Sequence, residues 1–85
     1  MPRELMEAFE NLRKATKDMN RSFNLYYELS KDLMCVYFTD KNLLPEGQYQ
    51  YKYVESIDSW YKTVMVNNVM YYALLTDEEY KKEVA

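Results

Sequence analysis

The sequence predicts a single α+β domain over residues 1–85, with a long N-terminal helix, a three- or four-stranded antiparallel sheet in meander order and a short C-terminal helix. Three observations predict this fold. Residues 3 to about 31 contain no Gly or Pro and repeat apolar side chains at helical spacing. Residues 48–75 carry strand patterns interrupted by turn residues. A helix-capping sequence then begins at Thr76.

The N-terminal helix is predicted by an apolar stripe that recurs every four and then three residues. Thr16 and Ser30 interrupt the stripe, whereas a coiled coil requires several uninterrupted heptads. The stripe therefore either packs on the sheet of its own chain, which we favour because that sheet needs a cover, or pairs with a second chain. Its large apolar members are Leu5, Phe9, Leu12, Met19, Phe23, Tyr26 and Leu33.

The end of this helix is ambiguous, because the segment "DLMCVYFTD" at 32–40 fits two structures. Leu33 and Tyr37 continue the helical stripe, but Val36 and Phe38 favour a strand. Periodicity alone does not distinguish a helix from a strand in so short an apolar run. We expect the helix to reach the low thirties and a strand to follow, with a loop at 39–48.

Tyrosines alternate with polar residues in the next segment, "QYQYKYV" at 48–54. This period of two predicts a strand with one solvated face. Tyr is common at binding surfaces, because its ring buries a large area and its hydroxyl stays polar. Tyr49, Tyr51 and Tyr53 therefore form either the core face of this strand or part of a partner-binding surface.

A hairpin is predicted where two apolar runs, "WYKTVMV" at 60–66 and "VMYYALL" at 69–75, flank Asn67 and Asn68. Asn tolerates the positive φ that both central positions of a type I′ turn require. With this two-residue loop, Met65 faces Met70 across the strands.

Neither face of the predicted hairpin is polar. An antiparallel sheet with one solvated side normally alternates apolar and polar residues, and large apolar patches seldom stay exposed on monomers. We hypothesise that one face packs on the N-terminal helix and that the other is an interface, most simply between two copies of the chain. One face carries Trp60, Lys62, Val64, Val66, Val69, Tyr71, Ala73 and Leu75, and the other carries Tyr61, Thr63, Met65, Met70, Tyr72 and Leu74.

The C-terminal helix is predicted by Thr76 and Glu79, which have the spacing of a capping box. Acidic residues follow in its first turn, and Lys81 and Lys82 lie near its end, as the helix dipole favours.

The composition excludes several kinds of site. The chain has no His, so a His-based general base or catalytic triad is absent, and the single Gly47 rules out the glycine-rich phosphate-binding motifs. Cys35 is the one cysteine and lies in an apolar run, which is typical of an inert buried thiol. We therefore predict a protein that is not an enzyme and that holds no cofactor or metal.

The charge pattern favours proteins over nucleic acids as partners. The net charge is −3 and the isoelectric point is about 4.9, whereas general nucleic-acid affinity needs a basic surface. A basic stripe on the first helix, combined with the tyrosines of 48–54, is the alternative that would hold a single strand. The stripe consists of Arg13, Lys14, Lys17 and Arg21.

These observations together predict a non-catalytic protein–protein interaction module, oligomeric and cytoplasmic, that binds or inhibits another macromolecule, in the manner of a phage or mobile-element accessory protein. No membrane-spanning segment is expected. Two alternatives remain: a nucleic-acid-binding accessory protein, and a small-ligand sensor or hydrolase with a pocket between protomers. The candidate partner-binding residues are Tyr49, Tyr51, Tyr53, Trp60, Tyr61, Met65, Met70 and Tyr72.

Overall fold

A computed structural model describes residues 1–19 and 22–85 of the chain. Its elements follow the order of an N-terminal helix, five strands and a C-terminal helix. One sheet contains all five strands, in the order β1-β2-β5-β4-β3, and the pair β2–β5 is parallel while the other pairs are antiparallel. The elements are α1 (Arg3–Thr16), β1 (Phe23–Glu28), β2 (Leu33–Phe38), β3 (Gln50–Val54), β4 (Ser59–Val66), β5 (Val69–Leu75) and α2 (Asp77–Val84).

The α+β class is confirmed, but the three- or four-stranded antiparallel meander is wrong, because the sheet has five strands and is mixed. The prediction that the helix reaches the low thirties is also wrong, since α1 ends at Thr16. Phe23 and Tyr26 are in phase with the helical stripe, yet they lie in β1. Aromatic residues also favour strands, and pairing with β2 gives this segment hydrogen bonds to a neighbouring strand.

The ambiguous segment at 33–38 is strand β2, which lies between β1 and β5. Cys35 and Val36 are buried there, as the sequence predicted for the thiol. Parallel pairing to β5 requires the chain to cross the sheet between β2 and β3. A meander has no such crossing, and the sequence pattern carries no signal for it.

The predicted hairpin of β4 and β5 is confirmed residue by residue. Met65 pairs with Met70 and Val66 with Val69. Asn67 and Asn68 both have positive φ, at 50° and 64°, as a type I′ turn requires.

The two outer hairpins close with the same turn, and both turns carry the short sequence pattern Tyr-x-x-Ser-x-Asp, at 27–32 and 53–58. In each turn a short 3-10 helix is followed by an aspartate in the left-handed region, Asp32 with φ 46° and Asp58 with φ 48°. A tyrosine five residues earlier donates to that carboxylate: Tyr27 to Asp32 at 2.8 Å and Tyr53 to Asp58 at 2.6 Å. Asp tolerates this conformation better than most residues, and the phenol orients it.

The connection from β2 to β3 crosses β5 and β4 on one side of the sheet. Leu44 is buried in this crossing. A Cβ atom at Gly47 would lie 2.6 Å from Cγ2 of Val64, so glycine is needed where the backbone lies against the sheet. The hydroxyl of Tyr49 donates to the carbonyl of Pro45 at 2.7 Å and holds the end of the crossing.

Helix α1 does not pack on the sheet along its length, contrary to the expectation for its apolar stripe. None of its residues is buried, and the side chain of Phe9 is 48% exposed. Only the end nearest β1 approaches the sheet, where Leu12 lines a groove with residues of β1 and β2. The radius of gyration is 14.7 Å, whereas a compact domain of this length has about 12 Å.

Candidate interaction surface

Strand alternation divides the sheet side chains into two faces, which we call the covered face and the open face. The covered face lies under α2 and the crossing connection, and its most deeply buried residues are Val64, Ala73 and Leu75. The groove beside α1 is on this same side. No element among the described residues lies on the open face. That face carries Tyr26, Cys35, Tyr37, Tyr61, Thr63, Met65, Met70, Tyr72 and Leu74.

Aromatic stacking fixes α2 to the covered face. The rings of Trp60 and Tyr80 are parallel within 5° with centroids 3.6 Å apart, and Tyr51 meets Tyr80 edge to face at 5.4 Å. The indole N–H of Trp60 also donates to Asp77 at 3.1 Å. Three elements therefore share one aromatic cluster, which stabilises α2 despite its eight-residue length.

An ion pair between the buried Lys62 and the more exposed Glu83 holds the other end of α2. The ammonium group of Lys62 is 2.7 Å from a carboxylate oxygen of Glu83, and the same oxygen accepts the hydroxyl of Tyr51 at 2.5 Å. Lys62 also lies 4.1 Å from the centre of the Tyr49 ring. This buried lysine has both a counter-ion and an aromatic neighbour, so its charge is compensated.

The pKa values of this face follow from these contacts. Burial and the hydrogen bond to Glu83 raise the pKa of Tyr51 to about 12. Burial alone would raise the pKa of Glu83, but hydrogen bonds from Lys62 and Tyr51 outweigh it and lower that pKa. The hydrogen bond from Lys41 is the largest cause that lowers the pKa of Glu79 to about 2.

The open face is built around three tyrosines in contact. The rings of Tyr37 and Tyr72 have centroids 5.2 Å apart, and Tyr61 meets Tyr72 edge to face at 5.7 Å. Burial raises the pKa of Tyr72 above its ordinary value, so its phenol is neutral at physiological pH. Tyr26 and Met65 project furthest into solvent, at 59% and 57% exposed.

A shallow depression of about 280 Å³ lies beside this cluster, with the buried Cys35 among its lining residues. Tyr26, Met70 and Tyr72 contribute apolar walls, and Thr63 contributes a hydroxyl. Polar residues of the outer strands surround the face: Asn24 and Glu28 on β1, and Gln50 and Lys52 on β3. An apolar, aromatic centre with a polar rim is typical of protein interfaces.

The structure separates the eight predicted partner-binding residues into two groups. Tyr61, Met65, Met70 and Tyr72 lie together on the open face. The other four pack on the covered face, where they contact α2, a strand neighbour or the crossing: Tyr49, Tyr51, Tyr53 and Trp60.

Sequence reasoning missed Tyr26, Cys35 and Tyr37 as members of the open face. Tyr26 was assigned to the helical stripe, and the other two lie in the ambiguous run at 33–38. The strand preference of consecutive aromatic and β-branched residues was the available signal. This strand preference does not reveal that β2 lies next to β5, which is what brings Cys35 and Tyr37 onto the open face.

The basic stripe and the tyrosine strand lie towards opposite edges of the sheet. Arg13 and Lys14 lie in the last turn of α1 and Lys17 directly follows it, at the end of the helix that lines the groove beside β1, whereas Arg21 lies outside the described residues. Tyr51 and the rest of β3 lie at the opposite edge of the sheet, four strand spacings or about 19 Å away.

No helix in residues 1–19 or 22–85 is long and apolar enough to cross a membrane. Within the same residues, no group of three or more His, Cys, Asp or Glu side chains is placed to hold a metal ion.

The chain matches no family model, and comparisons with curated proteins and with solved structures gave no significant match.

Proposed function

We propose that this chain is a non-catalytic interaction module that binds, and thereby inhibits, another protein through the open face of its sheet. The observation that carries the proposal is the uncovered tyrosine and methionine surface centred on Tyr72. A small chain buries little core, and apolar faces that stay uncovered on small proteins commonly mark binding sites.

The side chains of the open face support recognition of a protein. Tyr61 and Tyr72 offer large rigid rings with few rotatable bonds, so binding them restricts little conformational freedom. Met65 and Met70 pair across β4 and β5 and add a deformable apolar surface. Charged groups lie at the rim, where they select a partner without the desolvation that a central charge would suffer.

The proposal includes association between copies of this chain. The chain has one cysteine and 85 residues, so association between copies is the remaining means of enlarging its core. The phage or mobile-element setting and the cytoplasmic location belong to the same proposal and rest on composition alone.

The experiment uses Met65→Lys, which places a charge at the most exposed apolar position of the β4–β5 hairpin on the open face. The matched control is Ile57→Lys, because Ile57 is an exposed apolar residue in the turn between β3 and β4. Tagged wild-type chain and both variants are used to capture proteins from the source cell, and each captured protein is then purified and titrated.

We expect one protein to bind wild type and Ile57→Lys alike and to bind Met65→Lys at least tenfold more weakly. Equal binding by all three chains would contradict the proposal. A labelled oligonucleotide that binds wild type with an affinity dependent on Lys14 and Lys17 would instead support the nucleic-acid alternative. A small ligand that raises the melting temperature of the oligomer would support the sensor alternative.

A further inference from the structure

We propose that β1 is the strand through which two copies of this chain join, pairing antiparallel about a twofold axis at Leu25 to form one ten-stranded sheet. This contact is separate from the open face, so it does not require the partner of that face. It also differs from the sequence hypothesis, which placed the contact between copies on a face of the hairpin.

The two edges of the sheet are protected to different degrees. Edge strand β3 has five residues with Lys52 at its centre, and a charged residue in that position discourages strand addition. Edge strand β1 has six residues and no charge before Glu28. Its three consecutive residues Leu25, Tyr26 and Tyr27 are 41%, 59% and 43% exposed.

One hydrogen bond fixes which backbone groups of β1 point away from β2. The amide of Thr39 donates to the carbonyl of Ser22 at 3.2 Å, directly beyond the pair of Phe23 and Phe38. Hydrogen-bonded pairs alternate along an antiparallel ladder, so the even-numbered residues of β1 bond to β2. Phe23, Leu25 and Tyr27 therefore direct their N–H and C=O groups away from the sheet.

The spacing of these free groups selects the register. With Leu25 on the twofold axis, it pairs with Leu25 of the second copy, and Phe23 pairs with Tyr27 on both sides of the axis. These three hydrogen-bonded pairs use all the outward groups and make six backbone hydrogen bonds, two for each pair. Moving the axis to Asn24 or Tyr26 leaves two such pairs within the strand.

The charges are compatible with this register. Glu28 lies opposite Ser22 of the second copy, so the one charged residue of β1 does not face its own copy across the axis. A twofold interface uses the same surface from each copy, and β1 is complementary to itself in this way.

The covered face gains a continuous apolar surface. A groove of about 380 Å³ lies beside β1, and Phe23, Leu25, Phe38, Leu12 and Met19 are among its lining residues. Because β1 supplies the wall nearest the axis, the grooves of two copies would adjoin in the ten-stranded sheet. The exposed apolar residues of β1 would then have neighbours on both sides. This extra burial would add to the stability of a chain whose own core is small.

The first test uses Leu25→Lys with Leu29→Lys as its matched control. Leu29 is 82% exposed in the turn after β1, so the control makes the same change outside the pairing segment. Light scattering at tens of micromolar should give twice the 10.4 kDa chain mass for wild type and the control, and the chain mass for Leu25→Lys. Circular dichroism verifies that both variants are folded.

The second test fixes the register with cysteines in a Cys35→Ala background. Hydrogen-bonded antiparallel partners have Cα atoms about 5.5 Å apart, which a disulfide spans. Oxidised glutathione should therefore link two Leu25→Cys chains, as each thiol loses a proton and the glutathione disulfide is reduced to two thiols. Tyr27→Cys should stay unlinked, because its two copies lie about 14 Å apart.

A monomeric wild type, a dimer that persists in Leu25→Lys, or linkage of Tyr27→Cys in preference to Leu25→Cys would each overturn the proposal. Met65→Lys separates the two surfaces: it should retain the dimer mass while losing the binding partner. A dimer lost in Met65→Lys and kept in Leu25→Lys would place the copies on the open face instead.

Discussion

The two helices of this protein differ in a way that their lengths would not predict. Helix α1 has 14 residues with a clear apolar stripe, and none of them is buried. Helix α2 has eight residues, yet stacking on Trp60 and an ion pair to Lys62 hold it to the sheet, and a capping box stabilises its first turn. The comparison shows that a few specific contacts position a short helix more firmly than amphipathicity positions a long one.

The largest effect is expected from Trp60→Ala, which removes the ring that stacks on Tyr80. Replacing a large aromatic residue in a packed cluster costs about 3 kcal/mol of unfolding free energy. Phe9→Ala in α1 is the control, and it should cost less than about 1 kcal/mol because about half of that side chain is exposed to solvent. Urea unfolding measures both. Equal losses would show that the two helices are packed alike.

The next effect concerns the ion pair of Lys62 and Glu83. Glu83→Gln leaves the ammonium group of Lys62 buried without its counter-ion, and we expect a loss of about 2–3 kcal/mol in urea unfolding. The double variant Lys62→Met with Glu83→Gln should recover part of this loss, since an apolar side chain needs no partner. A double variant that is less stable than Glu83→Gln alone would mean that the charge itself stabilises the fold.

Acid should loosen α2 through Glu79. Its pKa is about 2 in the folded protein against an ordinary value of 4.5, so the unfolded chain takes up a proton first as the pH falls. The stabilisation is complete above about pH 5 and is lost as the pH approaches 2. The melting temperature should therefore fall as the pH is lowered through this range. In Glu79→Gln the melting temperature should depend less steeply on pH. If the melting temperature of Glu79→Gln depended on pH as steeply as that of wild type, Glu79 would not be the source of the acid sensitivity.

A smaller effect is expected at the N-cap of α2. Thr76 accepts a hydrogen bond from the amide of Glu79 at 3.1 Å, and the Glu79 side chain accepts from the amide of Thr76 at 2.9 Å. Thr76→Ala removes the first of these and should cost about 1 kcal/mol in urea unfolding. Thr76→Ser is the control, because it keeps the hydroxyl; a loss as large as that of Ala would point to the methyl group instead.

The smallest effect is expected from the stripe of α1. Changing Leu5 and Phe9 together to Ser should alter the unfolding free energy by about 0.5 kcal/mol or less, since neither side chain is buried. Urea unfolding at low protein concentration keeps any contribution of self-association small. A loss above about 2 kcal/mol would show that the stripe packs on the sheet, as the sequence alone suggested.

The sequence by itself determined those parts that depend on neighbouring residues. The turn at Asn67 and Asn68, the pairing of Met65 with Met70 and the capping box at Thr76 are all set by local backbone preferences. The burial of Cys35 followed from its apolar run. Half of the predicted partner-binding residues also lie on the open face, because alternation along the hairpin sorts them correctly.

Only the tertiary structure decided the rest, since it depends on which strands become neighbours. Aromatic residues in 23–28 suit a helical stripe or a strand equally, and pairing with β2 selects the strand. The parallel pairing of β2 and β5 adds Tyr37 and Cys35 to the open face, and no local pattern encodes it. The same long-range pairing leaves β1 at an edge of the sheet with outward-pointing backbone groups, which is the basis for the proposed contact between copies.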